Sequence, residues 1–291
     1  MLYNNRYATN MNNNIRSSFP HGAIGVFDSG YGGLTILKEI VQKLPQYDYI
    51  YFGDNARTPY GNRSFETVYQ YTLQCVKWLF HKGCPLVILA CNTASAKALR
   101  SIQQNDLPQL DSSRRVLGVI RPTSEVIGNF TRNKKVGILA TNGTIQSQSY
   151  VIEINKFFPD VQVVQEACPM WVPLVENNEH ENYGANYFIR KNIDQLMRKN
   201  KQIDTVLLAC THYPLLLKKI AEYMPVDVKV ITQGDIVASS LEDYLFRHPE
   251  IETKLSQFAD RQFFTTDDTA NFDAQAEKFF GEAVQSKFIE L

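Results

Sequence analysis

Short apolar runs alternate with amphipathic helical stretches along the chain from residue 23 onward. Residues 23–27 have the apolar character of a buried strand. An apolar stripe at helical spacing follows at Leu34, Leu37, Val41 and Leu44. This succession of strand, loop and helix is typical of βαβ units around a parallel sheet. The pattern therefore predicts an α/β fold.

The same pattern continues to the end of the chain. It predicts further strands at residues 49–52, 86–90, 116–120, 136–140, 161–164, 205–209, 228–231 and 262–265. The strand at 116–120 begins what looks like a second series. A final helix presents Phe272, Ala276 and Phe279 on one face.

Two segments of the first half of the chain recur in the second half. IGVFDSGYGGLT (24–35) resembles VGILATNGTIQS (136–147), at an offset of 112 residues. VILACNTA (87–94) resembles VLLACTHY (206–213), at an offset of 119 residues. The segments between these pairs also correspond in position. Elements that recur in order at a nearly constant offset predict two related α/β halves.

The repeat leads to a predicted domain organisation. We expect two pseudo-symmetric α/β domains, each a mainly parallel sheet flanked by helices, with the active site in the cleft between them. Residues 22–118 together with 228–291 are assigned to the first domain and residues 119–227 to the second. Residues 1–21 hold six asparagines and lack the apolar stretch of a secretory signal, so they are interpreted as a loosely ordered tail.

Composition and charge narrow the range of partners. The 291 residues include 30 basic and 30 acidic side chains, with no dense run of Lys or Arg, which argues against nucleic acid or a membrane surface as a partner. The longest apolar runs are far shorter than the roughly 18 residues of a membrane span. The five cysteines form no CxxC pair, which favours a reducing, cytoplasmic location and no metal site.

Cys91 and Cys210 stand at the ends of two corresponding strands of the repeat. Ligands of open α/β sheets bind beyond the carboxyl ends of the strands, where helices begin. If the halves face each other about a pseudo-twofold axis, both thiols lie in one cleft, each near the positive end of a helix dipole. Asn92 or Thr93, and Thr211 in the other half, are the predicted helix N-caps. Such a pocket favours a small anion.

A thiol on each side of a bound carbon atom suits the inversion of a chiral centre. One group removes a proton from one face while the other supplies a proton to the opposite face. A cysteine whose pKa lies near neutrality can serve in either role. The alternative is that both cysteines are small buried apolar side chains, as free cysteines usually are. Their matching positions favour the functional interpretation.

Several longer motifs carry a family resemblance. GVFDSGYGGLT, YFGDNARTPYG, LACNTASA, VPLVENNE and LACTHYPLL follow one another between residues 24 and 217, and FFTTDD lies near residue 263. With these motifs the sequence resembles the glutamate racemases of the cofactor-independent aspartate/glutamate racemase superfamily. The resemblance implies conversion of L-glutamate to D-glutamate for peptidoglycan synthesis, without pyridoxal phosphate or metal. It also implies a homodimer.

The resemblance further implies roles for individual residues. Cys91 and Cys210 would be the two catalytic acid/bases, with Asp28 beside Cys91, while Glu176 and His212 would assist Cys210. Substrate contacts are implied for the following residues: Asp28, Ser29, Tyr60, Gly61, Asn92, Thr93, Thr211 and His212.

Other polar features are given structural interpretations. Arg57 is a possible carboxylate clamp, but an arginine in a polar loop is more often structural. Gly30, Gly32 and Gly33 resemble a phosphate-binding loop only superficially, since no complete glycine motif is present. Ala209 and Arg121 depart from the family pattern without removing a reacting group.

Two other functions remain open from the sequence. The first is a related enzyme, either a racemase of aspartate or hydantoin or a one-thiol decarboxylase of the superfamily. The second is a non-catalytic, two-lobed protein that binds a dicarboxylate.

Overall fold

The computed structural model describes residues 22–291, so the tail predicted at residues 1–21 lies outside the described residues. Between Gly22 and Leu291 the chain forms a six-stranded and a four-stranded sheet, each flanked by helices. This arrangement confirms the predicted α/β fold class. No helix of residues 22–291 has the length and apolar character needed to cross a membrane.

The strands of this region are β1 (Ile24–Asp28), β2 (Tyr49–Gly53), β3 (Leu86–Leu89), β4 (Arg115–Gly118), β5 (Lys135–Ala140), β6 (Gln162–Ala167), β7 (Thr205–Ala209), β8 (Lys229–Ile231), β9 (Arg261–Thr265) and β10 (Ser286–Phe288). The helices are α1 (Leu34–Lys43), α2 (Phe65–His81), α3 (Asn92–Lys97), α4 (Leu99–Ser101), α5 (Leu107–Leu110), α6 (Ile120–Val126), α7 (Asn142–Ser147), α8 (Ser149–Phe157), α9 (Trp171–Glu176), α10 (Tyr183–Lys199), α11 (Leu217–Tyr223), α12 (Gly234–Arg247), α13 (Pro249–Glu252) and α14 (Thr269–Phe280). Short 3₁₀ turns cover Asn55–Arg57, Ile127–Asn129 and Tyr213–Leu216, and a π-helical turn covers Ile102–Asp106.

The two sheets repeat one strand order. The first sheet has the order β10-β9-β2-β1-β3-β4 and the second the order β6-β5-β7-β8. Paired strands are parallel throughout. The unit β2-β1-β3-β4 therefore corresponds strand for strand to β6-β5-β7-β8. The structural repeat thus includes a fourth strand, beyond the elements that the sequence repeat identified.

Two strands differ from the sequence-based interpretation. The strand predicted at 116–120 lies at the edge of the first sheet and ends at Gly118, because Ile120 already begins α6. β8 pairs with β7 in the second sheet, although the predicted division places residues 228–291 in the first domain. After β8 the chain returns through α12, which packs on α1. A three-residue strand carries too little pattern to indicate its sheet.

Alternating side chains divide the apolar core. Ile24 and Val26 of β1 belong to the largest cluster, while Phe27 belongs to a cluster on the opposite face of the same sheet. The largest cluster also includes Val206 and Leu208 of β7, so it continues from one sheet to the other. Because both sheet faces are covered, the strands are apolar runs. This shared core holds the two halves together beneath the ends of their strands.

Helix ends follow ordinary capping chemistry. The Ser64 hydroxyl accepts the Thr67 N–H (3.1 Å) at the start of α2, and the Asp268 carboxylate accepts the Asn271 N–H (2.7 Å) at the start of α14. Gly281 ends α14 with a φ of +89°, a conformation that glycine adopts without strain.

Candidate active site

A cleft lies between the carboxyl ends of the two sheets. Its volume is about 50 Å³, measured as the space open to the centre of a water molecule. Of the predicted site residues, those that line it are Ser29, Tyr60, Gly61, Cys91, Asn92, Thr93, Cys210, Thr211 and His212. Asp28 and Glu176 lie behind this surface, in contact with residues that line it. The two halves thus place Cys91 and Cys210 in one cavity.

Cys91 lies two residues after the end of β3 and is itself the N-cap of α3. Its sulfur accepts the Ala94 N–H at 3.4 Å, so the predicted caps, Asn92 and Thr93, are wrong. Those two side chains form other hydrogen bonds, and the sulfur takes the capping role. Cys91 is 6% exposed, and its sulfur lies 3.5 Å from the Ser29 hydroxyl. The thiol is therefore held in a fixed place at the cavity wall.

Asp28 lies beside Cys91 because β1 and β3 are neighbouring strands. The carboxylate is fully buried and accepts the Gly30 N–H at 2.9 Å. Burial raises the pKa of the Cys91 thiol to about 12; the charge of Asp28 acts in the same direction, while the Ala94 N–H and Ser29 oppose it. Burial also raises the pKa of Asp28. Cys91 is consequently a protonated thiol at neutral pH, next to a carboxyl group.

Cys210 directly follows β7 in the equivalent place of the second half, but no α-helix begins there. The chain continues into the four-residue 3₁₀ turn Tyr213–Leu216, whose N-cap residue, His212, makes no capping hydrogen bond with its side chain. Thr211 is therefore not an N-cap, contrary to the prediction. Its hydroxyl lies 3.5 Å from both Asp28 Oδ1 and His212 Nδ1. A single 3₁₀ turn supplies little of the helix dipole that was expected at this thiol.

His212 takes the place of the helix dipole at Cys210. Its Nδ1 lies 4.0 Å from the Cys210 sulfur, and its Nε2 lies 3.0 Å from Glu176 Oε1 at the end of α9. Burial disfavours the imidazolium, but the hydrogen bonds to Cys210 and Glu176 outweigh it and raise the pKa of His212 to about 10. His212 is therefore positively charged at neutral pH and stabilises negative charge beside it.

Three hydroxyl groups at the cavity wall are suited to hold carboxylates. The hydroxyls of Thr93 and Thr141 lie 2.9 Å apart and connect the two halves across the cleft. Ser29 contributes the third hydroxyl, beside Cys91. On the same side of the cavity, the Gly61 carbonyl accepts the Gly143 N–H at 2.8 Å, which is a further contact between the two halves. These groups surround the cavity from both domains.

Two residues with predicted substrate contacts have their side-chain polar groups engaged elsewhere. The Tyr60 hydroxyl donates to the Asp54 carboxylate. The Asn92 amide donates to Gln233 Oε1 at 2.7 Å and accepts from the Tyr150 hydroxyl at 2.6 Å. The Tyr60 hydroxyl and the Asn92 amide are therefore engaged in hydrogen bonds to other protein groups. Tyr60 offers its ring surface to the cavity, and Asn92 offers its backbone groups.

Arg57 has a structural environment. Its Nε donates to Asp54 Oδ2 at 2.7 Å, and its guanidinium lies 4.2 Å from the centre of the Tyr71 ring. These contacts agree with the structural interpretation of this arginine.

The cavity wall also includes residues that sequence reasoning missed: Thr58, Pro59, Asn62, Thr141, Asn142, Pro169, Val172 and Pro173. For Thr141 a signal was present, because it follows β5 as Ser29 follows β1, at the repeat offset of 112. Asn142 donates to Asn62 Oδ1 at 3.0 Å across the cleft. The residues at 169–173 come from the loop before α9 and its first turn; Val172 and Pro173 begin the VPLVENNE motif, whereas no motif covers Pro169.

The glycines after Asp28 allow close packing of the two halves. A Cβ at Gly32 would lie 2.2 Å from Thr211 Oγ1 and 2.4 Å from His212 Nδ1. A Cβ at Gly33 would lie 2.5 Å from the Asp28 Cβ. Gly32 therefore leaves room for the second half, whereas Gly33 leaves room for the Asp28 side chain of its own half.

Among residues 22–291, no group of three or more His, Cys, Asp or Glu side chains is arranged to hold a metal ion.

Comparison with known proteins gives consistent matches over most of the chain. The family model described as Asp/Glu/Hydantoin racemase matches residues 24–241. A glutamate racemase of Geobacter metallireducens is 41% identical over 90% of this chain and 94% of its own. The crystal structure of the glutamate racemase isoform RacE1 from Bacillus anthracis superposes with a TM-score of 0.84 at 33% identity, covering 93% of this chain and 98% of that one. The glutamate racemase of Francisella tularensis, in complex with D-glutamate, has a TM-score of 0.82 at 31% identity, with coverage of 93% and 98%.

Proposed function

This chain belongs to the Asp/Glu/hydantoin racemase family, and we propose that it interconverts L- and D-glutamate by proton transfer between the substrate α-carbon and two thiols, Cys91 and Cys210. It is an isomerase of the glutamate racemase type. One observation supports the two-thiol chemistry above the others. Cys91 and Cys210, which follow corresponding strands of the two halves, line a single cavity.

The reaction requires only that one Cα–H bond breaks and another forms. The thiolate on one side removes the α-proton and becomes a thiol. The thiol on the other side donates its proton to the opposite face of the carbanion and becomes a thiolate. The product has the opposite configuration, and the two sulfur atoms have exchanged their protonation states. The reverse reaction uses the same groups in the opposite order.

The surroundings of the two thiols suggest their resting roles. Cys91, buried beside Asp28 with a raised pKa, is the thiol that donates a proton. Cys210, whose sulfur lies 4.0 Å from His212 Nδ1, is the group that accepts one. Glu176 acts through its hydrogen bond to His212. Asp28 is placed to exchange a proton with Cys91.

The carbanion must be stabilised by the protein. A turnover of about 10 per second corresponds to a barrier near 16 kcal/mol, whereas the α-proton of an amino acid is a very weak acid. Fixed hydroxyls of Ser29, Thr93 and Thr141 around the carboxylates, together with exclusion of water, supply the difference. We expect the two halves to close over glutamate, and small-angle scattering with saturating glutamate would then show compaction.

The biological setting is part of the same proposal. D-Glutamate made by this chain supplies peptidoglycan synthesis in the cytoplasm, with glutamate as the substrate. The active unit is a homodimer. Light scattering coupled to size-exclusion chromatography tests the last point, since a monomer mass at assay concentrations would contradict it.

The activity is tested with a panel of amino acids followed by circular dichroism. We expect L- and D-glutamate to be interconverted and aspartate and hydantoins to remain unchanged. Cys91→Ser and Cys210→Ser should each lose at least about 1,000-fold in rate, since serine is a far weaker acid and base at neutral pH. Cys84→Ser is a matched control, because Cys84 is a buried free thiol outside the cavity.

Three outcomes would count against the proposal. Turnover of aspartate would identify a related racemase. Binding of glutamate without any exchange at Cα would indicate the two-lobed binding protein. An unchanged rate in either cysteine variant would remove that thiol from the reaction.

A further inference from the structure

A closed ring of hydrogen bonds lies behind the cavity wall at Asn92. The Asn92 amide donates to Gln233 Oε1 (2.7 Å), the Gln233 amide donates to the Tyr150 hydroxyl (2.7 Å), and that hydroxyl donates to Asn92 Oδ1 (2.6 Å). All three side chains are buried, with exposed fractions of 3% or less. Each member of the ring thus donates once and accepts once within it.

The chemistry of the three groups determines the direction of the bonds. Burial raises the pKa of Tyr150 above its ordinary value, so its hydroxyl stays protonated and can donate. The Val119 carbonyl can only accept, so the Gln233 amide must turn its nitrogen toward that carbonyl and toward Tyr150. Asn92 must then present its amide nitrogen to Gln233 Oε1 and its oxygen to the Tyr150 hydroxyl. Bonds that run in one direction around a ring strengthen one another in a buried site. The ring therefore has one arrangement.

The ring joins the places where the chain passes between the halves. Gln233 precedes α12, where the chain returns from β8 to the first half. The Gln233 amide nitrogen also lies 3.2 Å from the Val119 carbonyl and 3.0 Å from the Thr123 hydroxyl, where the chain first leaves β4. Tyr150 lies on α8 of the second half and Asn92 on α3 of the first. One buried network therefore connects both crossings and both halves.

Asn92 directly follows Cys91 and begins the helix that Cys91 caps. A bond that fixes the Asn92 side chain consequently fixes the position of the Cys91 sulfur. Through the ring, Cys91 is connected to α8 of the second half. This is the half in which Cys210 follows β7. Proton transfer is sensitive to this placement, since a displacement of 1 Å can cost about 100-fold in rate.

We infer that Gln233 and Tyr150 are positioning residues for the racemisation: with Asn92 they form a hydrogen-bonded ring that holds the Cys91 thiol in register with the half of the molecule that carries Cys210. This role rests on the proposed two-thiol function. It explains why the Asn92 amide is directed away from the cavity although Asn92 lines it. The ring acts on the alignment of the reacting groups: Tyr150 and Gln233 lie outside the cavity wall, and Asn92 alone of its members lines it.

The deciding variant is Tyr150→Phe, which removes one oxygen atom and breaks two bonds of the ring. We expect kcat to fall about 10- to 100-fold with KM changed less than threefold. Gln233→Met should have a similar effect, and the double variant should lose little more than either single one, because the ring acts as a unit. Tyr49→Phe is the matched control: its buried hydroxyl donates to the Leu44 carbonyl, far from the cavity, and its kcat should stay within twofold of wild type.

A second measurement does not depend on turnover. Alkylation by iodoacetamide, followed site by site with mass spectrometry, should be faster at Cys91 in Tyr150→Phe than in wild type and unchanged at Cys210. A merely stabilising ring would lower the melting temperature and leave kcat per folded molecule and the Cys91 alkylation rate as in wild type. Either that result, or additive losses in the double variant, would overturn the inference. If wild type and Tyr49→Phe also failed to racemise glutamate, the proposed function itself would fail.

Discussion

Cys91 and Cys210 occupy equivalent places in two sheets of the same strand order, yet the groups beside them differ. Cys91 is paired with a carboxyl group from a neighbouring strand, Asp28 at the end of β1. The equivalent strand of the second half, β5, ends in Ala140 and offers no such group. Cys210 instead has His212, two residues further along its own chain segment. The thiols are symmetric, whereas their proton-transfer partners are not.

This difference separates what the repeat provides from what each half adds. The repeated strand order places two sulfur atoms at the ends of corresponding strands in one cavity. The neighbouring groups then set opposite electrostatic conditions, a carboxyl beside Cys91 and an imidazolium beside Cys210. A two-base racemase needs one protonated and one deprotonated thiol when substrate arrives. In the proposed mechanism, the asymmetry between the two neighbouring groups assigns these different roles to the two thiols.

The largest effect is expected at Asp28, the carboxyl group beside Cys91 that has no counterpart directly beside Cys210. Asp28→Asn preserves the size of the side chain and removes its ability to take up and release a proton. We expect kcat to fall at least 100-fold with the protein still folded, since general acid–base groups contribute about 10²–10⁴ in rate. Steady-state kinetics and a thermal melt measure both effects.

Asp48→Asn is the matched control for this variant. Asp48 is also a buried carboxylate that accepts backbone N–H groups, those of Phe258 and Asp260, but it lies outside the cavity. The Asp48→Asn variant should be less stable than wild type, and its kcat should stay within threefold of the wild-type value. Equal kcat losses in the two variants would show that Asp28 matters only for folding.

The sequence predicted the shared part of the two halves better than the part that differs. Apolar periodicity and the internal repeat were sufficient for β1 to β9, the α/β class and the equivalence of the two cysteines, whereas β10 was not predicted. The repeat offset of 112 also makes Thr141 the counterpart of Ser29. Catalytic roles remain proposals, but the residues implied by the family motifs lie at or directly behind one cavity.

Features that depend on tertiary contacts were not predictable. Cys91 caps α3 because the Asn92 and Thr93 side chains are bonded to Gln233 and Thr141, which are distant in sequence. The placement of β8 in the second sheet depends on three residues, too few for a pattern. Local sequence cannot report which distant partner takes up a side chain's hydrogen bonds.

An intermediate effect is expected where the halves are in closest contact. Gly32→Ala would place a methyl group against Thr211 and His212, so it should displace the partner of Cys210 and reduce kcat at least about tenfold. Gly184→Ala is the control, because nothing lies within 4 Å of its added Cβ and it lies within α10. It should keep full activity and gain roughly 0.5–1 kcal/mol of stability. Wild-type kinetics in Gly32→Ala would show that this contact does not position His212.

The smallest effect, a shift along the pH axis, is expected from Glu176→Gln. Glu176 helps to raise the pKa of His212 to about 10, so its loss should lower that pKa toward 6.5. The alkaline limb of kcat/KM should then move to lower pH, with a loss of several-fold at pH 8.

The same pKa predicts a stability effect of known sign. A histidine whose pKa is raised on folding adds stability that is fully present below pH 6.5 and is lost as pH rises toward 10. Wild type should therefore lose more stability than Glu176→Gln between these pH values. Identical pH profiles in the two proteins would contradict the assigned ion pair.

Isotope labelling in the first turnovers tests the two-thiol mechanism most directly. L-Glutamate with protium at Cα is incubated with the enzyme in heavy water. At low conversion the two enantiomers are separated, and the deuterium content of each is measured by mass spectrometry. With one thiol on each face, the D-glutamate formed carries solvent deuterium, while the remaining L-glutamate stays unlabelled; the pattern is mirrored when D-glutamate is supplied. Protium retained in the product, or equal label in both enantiomers from the start, would mean that a single group serves both faces.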